Sequence, residues 1–390
     1  MILSISKRTV AFLSSYKLAY ICLLFLLVLT FFGTLEQIDH GIYEVKEKYF
    51  HSLFLIHQVG GRFPIPSPGG GLLMAILLIN LLVGGVRRIR KSRSKIGILV
   101  VHLGMVFLLV SGFITYFYAY EGHLTLYENQ RSNEFQSYYD WDITISKFEK
   151  NGRQRRFVIP ISQHRHLGDD QTAEFKGVNL PYSLRIDQYL QNCQPLPKGP
   201  MFEVDVPVID GYFLKELPLN ADAERNAPGV YVSIIDKQSS IHRQGLLWGH
   251  QRTPWVFEFG NEHWSISMKP KHWNLPFTIV LDKFTRELHP RTGMAKVFLS
   301  DVTKIENGVS QSLKISMNEP LRHKGFTLYQ ASWGPENAKH GQLLFSTFAV
   351  VHNPADKYPE YACYIIGFGL FLHFAQKLLR TLRLQQRRLL

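Results

Sequence analysis

Four long apolar runs, Leu18 to Leu35, Gly69 to Val86, Ile96 to about Tyr118 and Tyr361 to Gln376, interrupt an otherwise mixed chain of 390 residues. Each is about as long as a helix needs to cross a ~30 Å hydrocarbon layer, and the last is the shortest. Residues 121–358 contain no such run. There apolar and polar positions alternate in short stretches rich in β-branched and aromatic residues, such as "YYDWDITISKF", "YSLRIDQYL", "GVYVSII" and "GFTLYQASW". Asn151-Gly152 and Asn307-Gly308 mark tight turns between them. This patterning predicts an α+β membrane protein: four transmembrane helices, with a large antiparallel β-sandwich or open-barrel domain between the third and fourth. Residues 1–120 would hold three helices (about 18–35, 69–86 and 96–118) and an interfacial loop at 36–68. Residues 121–358 would form the β domain, and 359–390 the fourth helix with a basic tail.

Within the 36–68 loop, Tyr43 to His57 has apolar residues at roughly helical spacing, which predicts a short helix lying along the membrane interface. Pro64, Pro66, Pro68 and three glycines then stop it. The first apolar run has the position of a signal peptide. Its length, the bulky Phe31 and Phe32 and the lack of an A-x-A site predict a retained anchor instead.

Charge changes the picture by fixing an orientation. The formal net charge of +13 is concentrated in three segments. These carry Lys7, Arg8 and Lys17; Arg87, Arg88, Arg90, Lys91, Arg93 and Lys95; and Lys377, Arg380, Arg383, Arg387 and Arg388. Removing these 14 from the 44 Lys and Arg leaves 30 against 31 Asp and Glu, a net of −1. The basic balance is therefore a topology signal and predicts no nucleic-acid partner. By the positive-inside rule both termini and the 87–95 loop are cytoplasmic, while 36–68 and 119–360 lie outside.

Of the three cysteines, only Cys193 lies in the outer region, so no outer disulfide forms within one chain. C-x-x-C and C-x-x-C-H are both absent, which excludes a dithiol oxidoreductase site and covalent c-type haem. The outer block also lacks G-x-S-x-G, H-E-x-x-H and P-loop sequences, so no independent catalytic motif is present. His40, His51 and His57 read as interfacial side chains reaching water. His164 and His166 flank Arg165 in a polar loop beside Asp169 and Asp170 and read as structural or solvated, while His263-Trp264 and His272-Trp273 read as strand-edge aromatics.

Two membrane histidines differ, because an ionisable group inside a span normally faces a bundle interior, a cavity or a cofactor. His102 lies ~10 Å inward from Lys95 and His373 ~6 Å inward from Lys377, at 1.5 Å per residue. Both are therefore in the cytoplasmic half. Gly97, Gly104, Gly367 and Gly369 would let a neighbouring helix or a flat ring approach. Neutral imidazole is a usual axial ligand of haem iron. An inter-helix hydrogen bond, or snorkelling for His373, satisfies the same spacing.

The stretches "VVHLGMVFLLVSG", "EGHLTLYENQRSNEF" and above all "FTIVLDKF…RTGMAKVFLSDVTKIENGVSQSLKISMNEPLRHKGFTLYQASW" resemble the ResB (CcsB) family, membrane proteins of System II cytochrome c biogenesis. The resemblance implies a bacterial cytoplasmic-membrane protein with a periplasmic domain. It also implies association with a CcsA-type membrane protein carrying a tryptophan-rich haem-handling segment, which this sequence lacks. Together the pair would carry reduced haem b outward and present it to apocytochrome c, as an accessory subunit of a holocytochrome c synthase. His102 matches the family position implicated in haem-iron ligation; the resemblance gives less warrant for His373. It further suggests that Arg322, His323 and Lys324 pair with haem propionates, although a solvated turn explains them as well. Tyr329 and Trp333 share a strand face and read as core. Two other classes fit the same sequence: a membrane-anchored assembly scaffold without cofactor, and a b-type haem electron-transfer subunit.

Overall fold

A computed structural model describes residues 7–59, 63–87, 95–148, 154–168, 171–177, 180–199, 205–236, 240–288, 295–335 and 342–389. Asn151-Gly152, Asp169, Asp170 and most of the 87–95 basic loop lie outside the described residues. The chain divides into two compact units, one formed by 1–120 with 352–390 and the other by 121–351.

The first unit holds helices α1 (Lys7–Leu13), α2 (Tyr16–Val45), α3 (Gly70–Asn80), α4 (Ile96–Tyr118) and α5 (Tyr358–Leu389). Ser15 caps α2 by accepting from the Leu18 N–H at 3.2 Å. The Asn80 amide donates to Leu13 O (2.7 Å) and Ser15 O (3.0 Å), tying the end of α3 to the start of α2. Among the described residues three helical stretches are long and apolar enough to cross a membrane: Tyr16–His51, Ile96–Tyr118 and Tyr358–Gln386. The expected second span is a shorter apolar helix, Gly70–Val86, whose last part, Leu81–Arg87, is π-helical. The fourth run, only 16 residues by hydropathy, extends through the basic tail as one helix, since Leu, Arg and Gln all propagate helix well.

The 36–68 segment departs from expectation. Helix α2 continues past Leu35, and Gly41 then breaks it with φ of 73°, a left-handed conformation that favours glycine. A π-helical turn at Lys46–His51 follows, and then an antiparallel hairpin of β1 (Phe54–Val59) and β2 (Phe63–Pro68) replaces the expected helix to His57. The prolines sit in β2 rather than in a stop signal. Tertiary packing decides this, because Leu55 is buried with Val45, Tyr49, Leu29 and Leu73.

Among the described residues the second unit is built of β-strands, with two short 3-10 turns at Ile161–Gln163 and Ala223–Arg225. Its strands are β3 (Tyr120–Tyr127), β4 (Arg131–Phe148), β5 (Gln154–Ile159), β6 (Thr172–Lys176), β7 (Ser183–Leu190), β8 (Cys193–Pro197) and β9 (Tyr212–Glu216). They continue as β10 (Gly229–Ile235), β11 (Ile241–Trp248), β12 (Trp255–Phe259), β13 (Glu262–Leu288), β14 (Ala295–Glu306), β15 (Val309–Ser316), β16 (Leu321–His323), β17 (Phe326–Gly334) and β18 (Phe345–His352). Sandwich and barrel are both present and share two long strands. The four-stranded sheet β11-β10-β7-β6 packs against one half of β4 and β13 with β5 and β12, enclosing Ile143, Ile145, Leu184, Ile186, Val232, Trp264 and Ile266. The other half belongs to the order β15-β14-β13-β4-β3-β18-β17-β16. Its two edge strands, β15 and β16, are consecutive in sequence and an isolated Ser316–Glu319 bridge closes the turn between them, so the sheet nearly closes. Register shifts at Pro270/His272 and Asn274/Ile279 let β13 serve both halves. Asn307 (φ 49°) and Gly308 (φ 79°) make the expected tight turn between β14 and β15. Inside the open barrel Ser300, Gln330 and Ser346 hydrogen-bond one another at 2.7–3.0 Å, a satisfied polar network among Leu126, Val302, Leu328 and Phe348.

Candidate functional site

His102 stands in the second turn of α4. Its Nδ1–H donates to the Ile98 carbonyl at 2.7 Å, which leaves Nε2 as the nitrogen with a free lone pair. The ring lies against Gly85 in the π-helical end after α3, and a Cβ built on Gly85 would come 2.2 Å from His102 Cδ2. Only glycine leaves room for the imidazole there. Fixing one imidazole nitrogen with a carbonyl orients the other toward an incoming metal, the usual arrangement around a metal-ligating histidine. His102 therefore fits haem-iron ligation in both tautomer and setting.

His373 is brought onto α4 by a different face. A Cβ on Gly97 would meet the His373 amide nitrogen at 2.5 Å and the Gly369 carbonyl at 2.8 Å, while one on Gly369 would meet Val101 N at 2.7 Å. Gly104 sits equally close to Ile366. These three glycines seat α5 directly on α4. Gly367 has open space around its Cα and takes no part. The His373 Nδ1 is buried without a hydrogen-bond partner. At 3.6 residues per turn His102 is rotated by about 140° from Gly97 around α4, so its ring points away from the side on which α5 packs. The two histidines thus occupy neighbouring helices but different faces of α4.

Several other histidines have a carboxylate partner or a place in the core. His40 is 3.7 Å from Glu36 and His51 is 2.7 Å from Glu47; the side chain of His57 lies outside the described residues. His164 is fully buried and meets the Tyr189 ring edge-on; burial pushes its imidazole down to about 4. His263 reaches Glu258 at 3.2 Å. Among the described residues no group of three or more His, Cys, Asp and Glu is arranged to hold a metal ion.

The "LRHKGF" turn is occupied. Glu306 accepts from His323 Nε2 at 2.7 Å and from Lys324, and these hydrogen bonds hold its carboxyl below the usual range. Arg322 donates to Thr327 Oγ1 at 3.2 Å. Tyr329 and Trp333 share a face as expected, but it is the half-buried one; the wholly buried residues are Phe326, Thr327 and Leu328. Trp333 stacks on Phe284 at 5.8 Å, with the Arg286 guanidinium 4.3 Å from its ring.

One polar cavity of about 210 Å³ was not singled out by sequence. Strand pairing places His123, Gln136 and His272 side by side across β3, β4 and β13, with Ser132 and Glu134 beside them. The Gln136 amide donates to His123 Nε2 at 2.7 Å. Burial and, secondarily, His272 lower the His123 imidazole. His123, Ser132, Glu134 and Gln136 are near one another in sequence, and only register brings in the distant His272.

Comparison with known proteins gives a consistent assignment. Residues 244–355, running from the end of β11 through β18, match the model of the ResB-like family. A cytochrome c biogenesis protein CcsB of Prochlorococcus marinus (strain NATL2A) is 54% identical over 57 residues, 14% of this chain and 13% of that protein. The CcsB of Synechococcus sp. (strain CC9605) is 29% identical over 163 residues, 41% of this chain and 36% of that protein. The chain thus spans about a third or less of the length of these curated relatives, and the family match lies in the sheet, apart from His102 and His373. The matched sheet and these relatives together support assignment of the chain to the ResB/CcsB family.

Proposed function

We propose that this chain is the haem-handling membrane subunit of a cytochrome c biogenesis complex, working with a CcsA-type partner to deliver reduced haem to apocytochrome c. The observation that carries the reading is His102: an imidazole within a span, its Nδ1–H fixed on Ile98 and its ring seated on a glycine. The names of the relatives support the pathway. In this reading haem is cargo. His102 Nε2 supplies one axial bond to ferrous iron, which limits side reactions in transit. Placement of His102 and His373 on different faces of α4 supports a second axial ligand from another chain, with His373 as the alternative. The same placement disfavours a self-contained b-type electron-transfer subunit with a bis-histidine pair. In this reading the membrane is the bacterial cytoplasmic one, both termini are cytoplasmic, and the sheet unit is periplasmic, where it docks the partner or apocytochrome.

Co-purification with a CcsA-type partner, followed by an absorption spectrum, tests the proposal. The complex should show a Soret band that falls in His102→Ala, together with loss of c-type cytochromes. A haem-free complex, or normal cytochrome maturation in the variant, would return the chain to the scaffold class.

A further inference from the structure

The hairpin between α2 and α3 carries apolar side chains on both faces; Leu55 on one is buried, while Phe54 and Ile56 on the other are exposed. After Gly41 the chain folds back beside α2: Val45, Phe50 and Tyr49 lie 3.3–3.7 Å from where a Gly33 Cβ would be, and Tyr49 donates to Glu36. The His51 ring meets Tyr116, two residues before the end of α4, at 4.6 Å. These contacts set the base of the hairpin level with the ends of two spans. There the Gly69 N–H closes the base on the Leu53 carbonyl at 2.8 Å.

From that base, Leu55 points inward and is buried at 5% exposure, whereas Phe54 is 70% and Ile56 63% exposed. Phe54 pairs with Pro68 and Ile56 with Pro66, and Pro64 is exposed on the same face of β2, so the described side chains of the outward face are apolar on both strands. A strand that is apolar on both faces is one covered on both faces. The prolines narrow what can cover it. Proline has no N–H, so β2 offers no backbone donor at 64, 66 or 68 to any strand that would pair there. Such an edge does not template another strand. It also lacks the N–H groups whose desolvation keeps open sheet edges out of lipid.

We propose that the Phe54–Pro68 hairpin lies in the membrane interface and seats Phe54, Ile56, Pro64 and Pro66 among the acyl chains of one leaflet. It is a non-spanning lipid contact continuous with the lipid-facing surfaces of α2 and α4, where Phe31, Phe117 and Tyr118 are also exposed. This inference does not depend on haem handling.

The test uses the full chain with Cys22, Cys193 and Cys363 changed to alanine and a bimane label on Phe54→Cys or Ile56→Cys. The protein is reconstituted into vesicles of brominated phosphatidylcholine with phosphatidylglycerol. Both labels should emit to the blue and be quenched as strongly as a label on Phe117→Cys, while a label on Val309→Cys is not. A benzophenone side chain at position 56 of the chain with its native cysteines should yield lipid adducts. Labels at 54 and 56 that behave like the one at 309, or adducts to protein alone, overturn the proposal.

Discussion

Replacing Gly85 by alanine places a methyl carbon 2.2 Å from His102 Cδ2, where ordinary contact begins at 3.4 Å. The imidazole must retreat by about 1 Å or turn, because atoms at ordinary contact distance cannot share that space. Either movement stretches the 2.7 Å bond from Nδ1 to the Ile98 carbonyl past hydrogen-bonding range. The lost bond is worth about 1 kcal/mol to the fold, which the helix tolerates. If His102 ligates haem iron as proposed, the effect on haem should be larger, since losing the group that orients a metal-ligating histidine lowers affinity by roughly 10- to 100-fold. The assay is Soret absorbance of the complex co-purified with its partner, read with c-type cytochrome levels in the same cells. Gly112→Ala, at a position with open space around it, is the control. If Gly85→Ala keeps the parental Soret intensity and haem retention, the seat on Gly85 does not position His102 and the geometric argument fails.

Other substitutions probe the two units separately. Gly97→Leu meets backbone atoms of His373 and Gly369 that cannot move aside, so α4 and α5 should separate at a cost of about 1–3 kcal/mol in detergent melts; Gly367→Leu, in open space, should be neutral. The buried His164 has its imidazole lowered to about 4, whereas the unfolded chain takes up a proton at the ordinary 6.5. Its contribution is therefore complete above pH 6.5 and falls as pH drops toward 4, by about 3 kcal/mol in total. All six tryptophans lie within 121–351, so denaturant titrations followed by tryptophan fluorescence report this unit, and His164→Leu should flatten the profile between those pH values. Cys193 is buried with its thiol pushed up to about 12, so maleimide should modify it only after unfolding.

Residues 96–118 show how much local pattern can fix. A run of 23 mostly apolar residues bounded by Lys95 and followed by alternating strand residues leaves one solution, and α4 has those bounds. Asn307-Gly308 is similar, because a type I′ turn needs two positive φ values that few other dipeptides accept. The 36–68 segment was legible only in part. Its apolar spacing suits a helix, and burial of Leu55 with Tyr49 and Leu73 overrides that preference with a hairpin.

The membrane histidines mark the boundary between the two kinds of information. Hydropathy and charge, which act residue by residue, determine that His102 and His373 sit in apolar helices near basic ends, and the alternation after Tyr120 determines that strands follow. Which face each histidine presents is a matter of helix packing. Gly97, Gly104 and Gly369 bring α5 against one side of α4, while Gly85 receives the His102 ring on another. The cavity beside His123 depends on the pairing of β3 and β4 with β13, whose His272 lies well over 100 positions further along the chain. Sequence settles what a segment prefers in water or lipid. Contacts between distant segments exist only once the chain has closed on itself, and tertiary structure alone decides them.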